Sequence, residues 1–153
     1  MIRLICLLLC LCTLACGRTP KGDRRAFLIA AEAGDAFTVG QELDNGVMPD
    51  DVFQIGDRPA LFLAAINGHP QVVKLLLERG ADVHHQHKGA SLKMEVLAQW
   101  GHVRDAHAKP DSASTYKKVD GTVVPMKDLK LDNLDYERVI KLIDTALAVP
   151  SAR

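Results

Sequence analysis

Residues 59–83 read PALFLAAINGHPQVVKLLLERGADV, a pattern that predicts two short helices joined by a tight turn. The small side chains of Ala64 and Ala65 allow a neighbouring helix to approach closely, and residues 72–77 supply a wide apolar face at helical spacing. Gly68 suits the turn because glycine accepts the left-handed backbone that a tight turn needs. One such helix pair cannot bury its apolar face alone, so copies of it are expected in the chain.

Two copies of this pattern flank the stretch. Upstream, Gly34 and Gly46 lie 34 positions before Gly68 and Gly80, so the turn and the end of the second helix are both repeated. Downstream, residues 94–102 repeat the first helix and its Gly-His ending, 33 positions after that of the middle copy. The sequence therefore contains three copies at a nearly constant spacing.

The middle copy resembles an ankyrin repeat, with PALF (residues 59–62) where that family usually has Thr-Pro-Leu-His. The resemblance implies an all-α ankyrin-repeat solenoid of about three helix-turn-helix repeats within residues 26–148, near 26–57, 58–90 and 91–148. Repeat stacks of this kind usually present a surface to another macromolecule. The resemblance therefore implies a protein-binding module that is not an enzyme and needs no cofactor.

The third copy breaks after its Gly-His pair, and two interpretations of it remain open. Residues 139–144 (VIKLID) resemble residues 72–77 (VVKLLL), which favours a second helix displaced by an insertion near 102–134. Alternatively, the second helix occupies residues 102–109 and a linker leads to an added cap helix. Both interpretations predict a final helix over residues 134–148 whose apolar side closes the stack.

The insertion contains Asp120 and Gly121 between two short runs of β-favouring residues. An Asp-Gly pair in this setting is the strongest short-range signal for a hairpin, so we expect a small β-hairpin here. The insertion is either an arm that contacts a partner or a decoration of the surface, and the sequence does not distinguish the two.

The first residues of the chain are typical of an export signal, which we place at residues 1–15. They contain one charge, at Arg3, followed by an apolar run over residues 4–14 that is too short to cross a bilayer as a lasting helix. The segment of residues 16–25 is short, basic and rich in turn formers, so we expect it to tether the folded domain to the membrane.

The signal ends in CTLACG (residues 12–17), which resembles the lipobox of bacterial lipoproteins. The resemblance implies cleavage before Cys16 and attachment of lipid to its thiol. Residues 13–15 would also serve an ordinary signal peptidase, which would cut the same bond and leave Cys16 unmodified. We favour lipidation, because an unpaired thiol at the mature terminus of an exported protein is otherwise a liability.

Cysteine and charge counts exclude several classes of function. All four cysteines lie at or before residue 16, so the folded domain can form neither a disulfide framework nor a cysteine-based zinc site. The chain has 19 basic and 19 acidic residues, and this balance offers no electrostatic case for nucleic acid as a partner. No motif for nucleophilic or metal-dependent catalysis is present, so no catalytic residue is predicted.

Three histidines lie close together at His84, His85 and His87, at the start of the hairpin that would join the second and third repeats. Alternating imidazoles on one side of an extended segment could bind Zn or Cu. No cysteine or carboxylate accompanies them closely in the sequence. We therefore favour a polar hairpin tip and predict no metal site.

The partner-binding surface is expected along the inner helices and the hairpin tips. Trp100, the only tryptophan, lies beside a turn and is predicted to be the main aromatic anchor. An alternative is that the insertion folds over it. The remaining predicted contacts are the polar residues before the turn glycines, Asn67 and Gln99, and the hairpin residues of a polar rim, Arg58, Asp57, His84, His85, His87 and Lys88.

These features together predict an exported, lipid-anchored ankyrin-repeat protein of the bacterial periplasm, with the outer membrane favoured over the inner. Its expected role is to bind another protein as an accessory or scaffold factor for an envelope or stress-response protein. One alternative is an immunity-type inhibitor that sequesters a toxin. A second alternative is a metalloprotein that uses the histidine cluster at residues 84–87.

Overall fold

The computed structural model describes residues 21–52, 54, 57–109, 114–129 and 132–149. The elements in chain order are α1 (Arg24–Ala33), α2 (Ala36–Asp44), α3 (Ala60–Ile66), α4 (Pro70–Glu78), β1 (Gln86–His87), β2 (Ala90–Ser91), α5 (Leu92–Ala108), β3 (Thr115–Lys117), β4 (Val123–Pro125), a 3-10 turn (Met126–Asp128) and α6 (Asn133–Ala148). The chain is mostly helical, as predicted, with two small sheets.

The predicted signal peptide (residues 1–15) and the lipidation site Cys16 lie outside the described residues. None of the helices in the described ranges combines the length and the apolar character that crossing a membrane requires.

Four helices begin at a side chain that caps the backbone. Asp23, Asp35, Ser91 and Asp132 accept hydrogen bonds from free N–H groups in the first turns of α1, α2, α5 and α6. The middle helix pair begins differently, because α4 carries a proline, Pro70, at its first helical position. Short helices with defined starts therefore follow directly from local sequence.

The turns within the first two helix pairs are the ones predicted. Gly34 and Gly68 have φ of 81° and 72°, a left-handed conformation that glycine adopts without the cost that a Cβ atom would impose. The prediction of a similar turn at Gly101 is wrong, because this residue lies inside α5, which continues without interruption to Ala108. Residues 102–108 therefore belong to α5 and to neither a separate second helix nor the insertion.

The helices pack in two layers. In the inner layer, α1 contacts α3 and α3 contacts α5, while in the outer layer α2 contacts α4 and α4 contacts α6. The largest fully buried side chains of the core are all apolar. They are Phe27, Leu28, Leu61, Phe62, Ile66, Leu76, Leu92 and Ile143. We refer to α1 and α2, α3 and α4, and α5 and α6 as the first, second and third helix pairs.

Two equivalent hydrogen bonds join successive pairs. His69, just before α4, donates from Nε2 to the carbonyl oxygen of Glu32, at 2.9 Å. Tyr136, in α6, donates from Oη to the carbonyl oxygen of Ile66, at 2.7 Å. Glu32 and Ile66 each lie two residues before the turn glycine of their pair. The helix α6 thus stands to the second pair as α4 stands to the first, as expected for a displaced second helix.

The segment between α5 and α6 forms the predicted hairpin. Strands β3 and β4 pair antiparallel with Tyr116 opposite Val124, and Gly121 in the connecting loop has φ of 92°. A second, smaller hairpin of β1 and β2 joins the second and third pairs. Lys88 and Gly89 at its tip both have positive φ, at 51° and 80°, which is the geometry of a type I′ turn.

Candidate binding surface

The β3–β4 hairpin covers the ends of the inner helices. Tyr116 Oη donates a hydrogen bond to Glu32 Oε1 at 2.7 Å, and the Val119 N–H donates to Glu32 Oε2 at 2.8 Å. Asn67 Nδ2 in turn donates to Tyr116 Oη at 3.3 Å. Glu32 and Tyr116 are only 8% and 7% exposed. The surface where the sequence predicts partner contacts through Asn67 is therefore occupied by the insertion of the same chain.

The buried carboxylate of Glu32 is what fixes the hairpin in place. A carboxylate away from water is stable only when hydrogen bonds replace its hydration, and both oxygens of Glu32 accept one here. Burial raises the pKa of Tyr116 above its ordinary value, and the neighbouring charge of Glu32 raises it further, so the phenol keeps its proton and remains a donor.

A cleft of about 480 Å³ lies between the hairpin and the inner helices. The apolar side chains of Leu28 and Leu63, which are almost fully buried, lie at the floor of the cleft. The cleft is lined by Arg25, Leu28, Gln54, Asp57, Arg58, Leu63, Tyr116, Lys117, Lys118 and Val119. Two of the predicted partner residues, Asp57 and Arg58, thus lie at this cleft. The sequence argument missed Arg25, Lys117 and Lys118, which are brought together only by the fold.

A partly buried ionic network connects the cleft to the third helix pair. Arg58 Nε donates to Glu95 Oε2 at 2.7 Å, and His87 Nδ1 lies 2.6 Å from Glu95 Oε1. Burial tends to raise the pKa of Glu95, but the hydrogen bonds and charges of Arg58 and His87 outweigh it, so that pKa is lowered. His87 is only 6% exposed, which corrects its assignment to the outer rim.

The histidine cluster does not form a metal site in the described part of the chain. His84 and His85 are exposed, whereas His87 is buried against Glu95. The rings of His85 and His87 both lie in edge-to-face arrangements with Phe62, with centroids 5.9 and 6.2 Å away. Within the described ranges, no group of three or more His, Cys, Asp or Glu side chains could hold a metal ion. Lys88 lies at the tip of the β1–β2 hairpin and His84 and His85 lie just before β1, and all three side chains are exposed.

The Trp100 side chain packs against residues of α6. Its ring stacks on Tyr136 with centroids 5.9 Å apart and an interplanar angle of 12°, and its Nε1 donates to Asn133 Oδ1 at 3.1 Å. The side chain is therefore half-buried against α6, and its role as the main aromatic anchor for a partner stays a prediction. The neighbouring Gln99 is also half-buried, and its Nε2 has no hydrogen-bond partner within the described residues.

Residues 57–88 match the family model of the ankyrin repeat. The match supports an ankyrin-repeat protein. It spans α3, α4 and the beginning of the β1–β2 hairpin, and so coincides with the second helix pair. No curated protein matches the chain. Ankyrin repeats are generally modules for protein–protein interaction and are generally non-catalytic.

Proposed function

We propose that this protein is a protein-binding module built as a short ankyrin solenoid of three helix pairs. The observation that carries the proposal is the succession of inner helices α1, α3 and α5 and of outer helices α2, α4 and α6, with an ankyrin-repeat match on the middle pair. Stacked repeats of this kind present a continuous surface on one side and have no need of a reaction centre.

The binding surface of this module is shifted by the insertion. The β3–β4 hairpin lies over Glu32 and Asn67, so a partner meets the hairpin and its cleft before it meets the inner helices. The exposed residues His84, His85 and Lys88, around the β1–β2 hairpin, lie at the junction of the second and third pairs and extend this surface.

The proposed location is the periplasmic side of a bacterial membrane, with lipid on Cys16 and the outer membrane favoured. This part of the proposal is supported by the apolar run and the lipobox-like residues 12–17. A tethered binding module suits an accessory or scaffold role for an envelope or stress-response protein, because the tether keeps it where such partners work.

Mild crosslinking in cells followed by purification of the full-length protein tests the binding role. The expected result is one protein recovered in roughly stoichiometric amount and absent from a parallel purification without crosslinker. Recovery of abundant envelope proteins alone, in proportion to their abundance, would contradict a specific binding module.

Cell fractionation tests the anchor. Cys16→Ser should move the protein from the membrane fraction to the soluble periplasm, because no lipid can then be attached. Cys10→Ser is the matched control, since it removes a thiol of the signal and should leave the protein in the membrane. Continued membrane association of the Cys16→Ser protein after removal of its signal, checked by mass, would exclude the proposed lipidation.

A further inference from the structure

The cleft beside the hairpin concentrates positive charge in a chain whose overall charge is balanced. Four cationic side chains line it, namely Arg25, Arg58, Lys117 and Lys118, against one carboxylate, Asp57. The full chain has 19 basic and 19 acidic residues, so this excess is local. A concave surface of one charge sign attracts ligands of the opposite sign more strongly than a flat surface does.

Three of these cations have no salt bridge within the described residues. Arg58 is held by Glu95, but Arg25, Lys117 and Lys118 form none there. Two of them converge on the hairpin loop. The pKa of Asp120 is lowered mainly by hydrogen bonds from Thr122, and the charges of Lys118 and Arg25 lower it further. Arg25 and Lys118 therefore lie near the carboxylate of Asp120 without a direct ion pair, and Asp57 is the one carboxylate among the residues that line the cleft.

The floor of the cleft differs from its rim. Leu28 and Leu63 are nearly fully buried below it, and Val119 lies on its hairpin wall. An apolar floor under a cationic rim fits a ligand that carries both carboxylates and apolar side chains. The volume of about 480 Å³ is enough for a few residues of an extended peptide rather than for a folded domain.

We infer that this cleft binds an acidic segment of the partner protein, with its carboxylates on Arg25, Lys117 and Lys118 and an apolar side chain on the floor. This inference rests on the proposed protein-binding function. It assigns to the insertion a second role besides covering Glu32, because the hairpin supplies one wall of the cleft and two of its cations.

The test uses fluorescent octapeptide pools and the full-length protein in mild detergent. In the three pools, acidic, basic or neutral polar residues alternate with randomised apolar residues, and binding is followed by fluorescence anisotropy. The acidic pool should bind at least about tenfold more tightly than the basic pool, and about 1 M salt should weaken it, because the screening length falls to about 3 Å.

Charge-reversed variants locate the binding. Lys117→Glu combined with Lys118→Glu should weaken the acidic pool by at least about tenfold, because two attractive charges become repulsive. Lys127→Glu combined with Lys141→Glu is the matched control, since both side chains are exposed and neither lines the cleft. This control should bind the acidic pool within about twofold of the unmodified protein.

Each contrary outcome has a distinct meaning. Equal binding of the acidic pool by both double variants would overturn the assignment of the cleft. Preference for the basic or neutral pool would overturn it as well, while leaving a peptide-binding function in place. If no pool binds but crosslinking recovers a specific partner, the cleft assignment fails and the proposed function stands. If crosslinking recovers no specific partner, the proposed function itself fails.

Discussion

The same Gly-His pair occurs twice in the chain and adopts two different structures. Gly68 and His69 form a left-handed turn between α3 and α4, with φ of 72° at the glycine. Gly101 and His102 lie in the middle of α5, in ordinary helical backbone. Glycine thus permits the turn but does not impose it.

The residue that follows each pair explains the difference. Pro70 comes after His69. In a continuous helix its ring would clash with the carbonyl of Ile66, and its backbone has no N–H to donate to that carbonyl. Val103 occupies the corresponding position after His102, keeps its N–H, and is fully buried in the core. Helix continuation is therefore blocked at the first position and rewarded by burial at the second.

The continued helix leaves the outer place of the third pair to α6. Its Tyr136 then performs for Ile66 the task that His69 performs for Glu32. The difference between the two Gly-His pairs is thus compensated by a residue far along the chain. Four predictions test this comparison.

Removal of the Tyr136 side chain should have the largest effect. The ring is buried, stacks on Trp100 and contacts the turn at Gly68, so Tyr136→Ala should lower the free energy of unfolding by about 3–5 kcal/mol. Tyr136→Phe keeps the ring and loses only the hydrogen bond to Ile66, at a cost of about 1 kcal/mol. Urea unfolding measures both. Equal losses would mean that the ring does not secure the third pair.

Alanine at the two glycines should change stability in opposite directions. Gly68→Ala forces a Cβ into left-handed backbone, 3.3 Å from the Tyr136 ring, and should cost about 2 kcal/mol. Gly101→Ala places alanine in a helix with nothing within 4 Å of the new Cβ, and should stabilise the protein by about 0.5–1 kcal/mol. Destabilisation by both changes would show that Gly101 also needs to be glycine.

The two histidines should differ in the same way. His69→Ala removes the hydrogen bond to the Glu32 carbonyl and the ring packed over Gly34, so it should cost about 1–2 kcal/mol. His102→Ala changes an exposed residue in mid-helix and should change the free energy of unfolding by less than about 0.5 kcal/mol. A comparable loss for both would indicate that His102 has a structural role of its own.

Acid should weaken the junction of the second and third pairs. The lowered pKa of Glu95 means that its stabilising contribution is present above its ordinary value of 4.5 and is lost as the pH falls through the lowered value. The unmodified protein should exceed Glu95→Gln by about 1 kcal/mol in unfolding free energy at neutral pH, and the two should converge in acid.

The junction of the first and second pairs supplies the control for this effect. There Arg79 and Asp44 form an ion pair of 2.8 Å whose side chains are 39% and 70% exposed. Exposed pairs contribute little, so Asp44→Asn should change the unfolding free energy by less than about 0.5 kcal/mol at either pH. A pH-independent difference between the unmodified protein and Glu95→Gln would contradict the role given to Glu95.

Local signals in the sequence predicted much of the fold. The first two helix pairs and the Asp120-Gly121 hairpin follow from apolar periodicity, turn glycines and β-favouring runs, and all three are confirmed. The prediction of a turn at Gly101 is wrong because a Gly-His pair does not end a helix without a residue such as Pro70 after it. Pro70 had no counterpart after His102, and this absence was the available signal that the helix would continue.

The candidate binding surface could be predicted only in part. Arg58 and Asp57 were expected at the surface because of their place before α3, and they line the cleft. The burial of His87 depends on Glu95, and the covering of Trp100 depends on α6, neither of which a local pattern encodes. Arg25 and Lys117 line the same cleft only because the hairpin returns to the first helix pair.

The hydrogen bonds between Glu32 and the β3–β4 hairpin affect the order in which the fold assembles. The two hydrogen bonds of Glu32 reach Tyr116 and Val119, residues 84 and 87 positions later in the chain. Contacts of such long range close slowly, whereas the adjacent helices of the first two pairs can associate early in folding. We expect the folding chain to expose its inner helix ends until a late step, so that the hairpin docks last and completes the proposed binding surface.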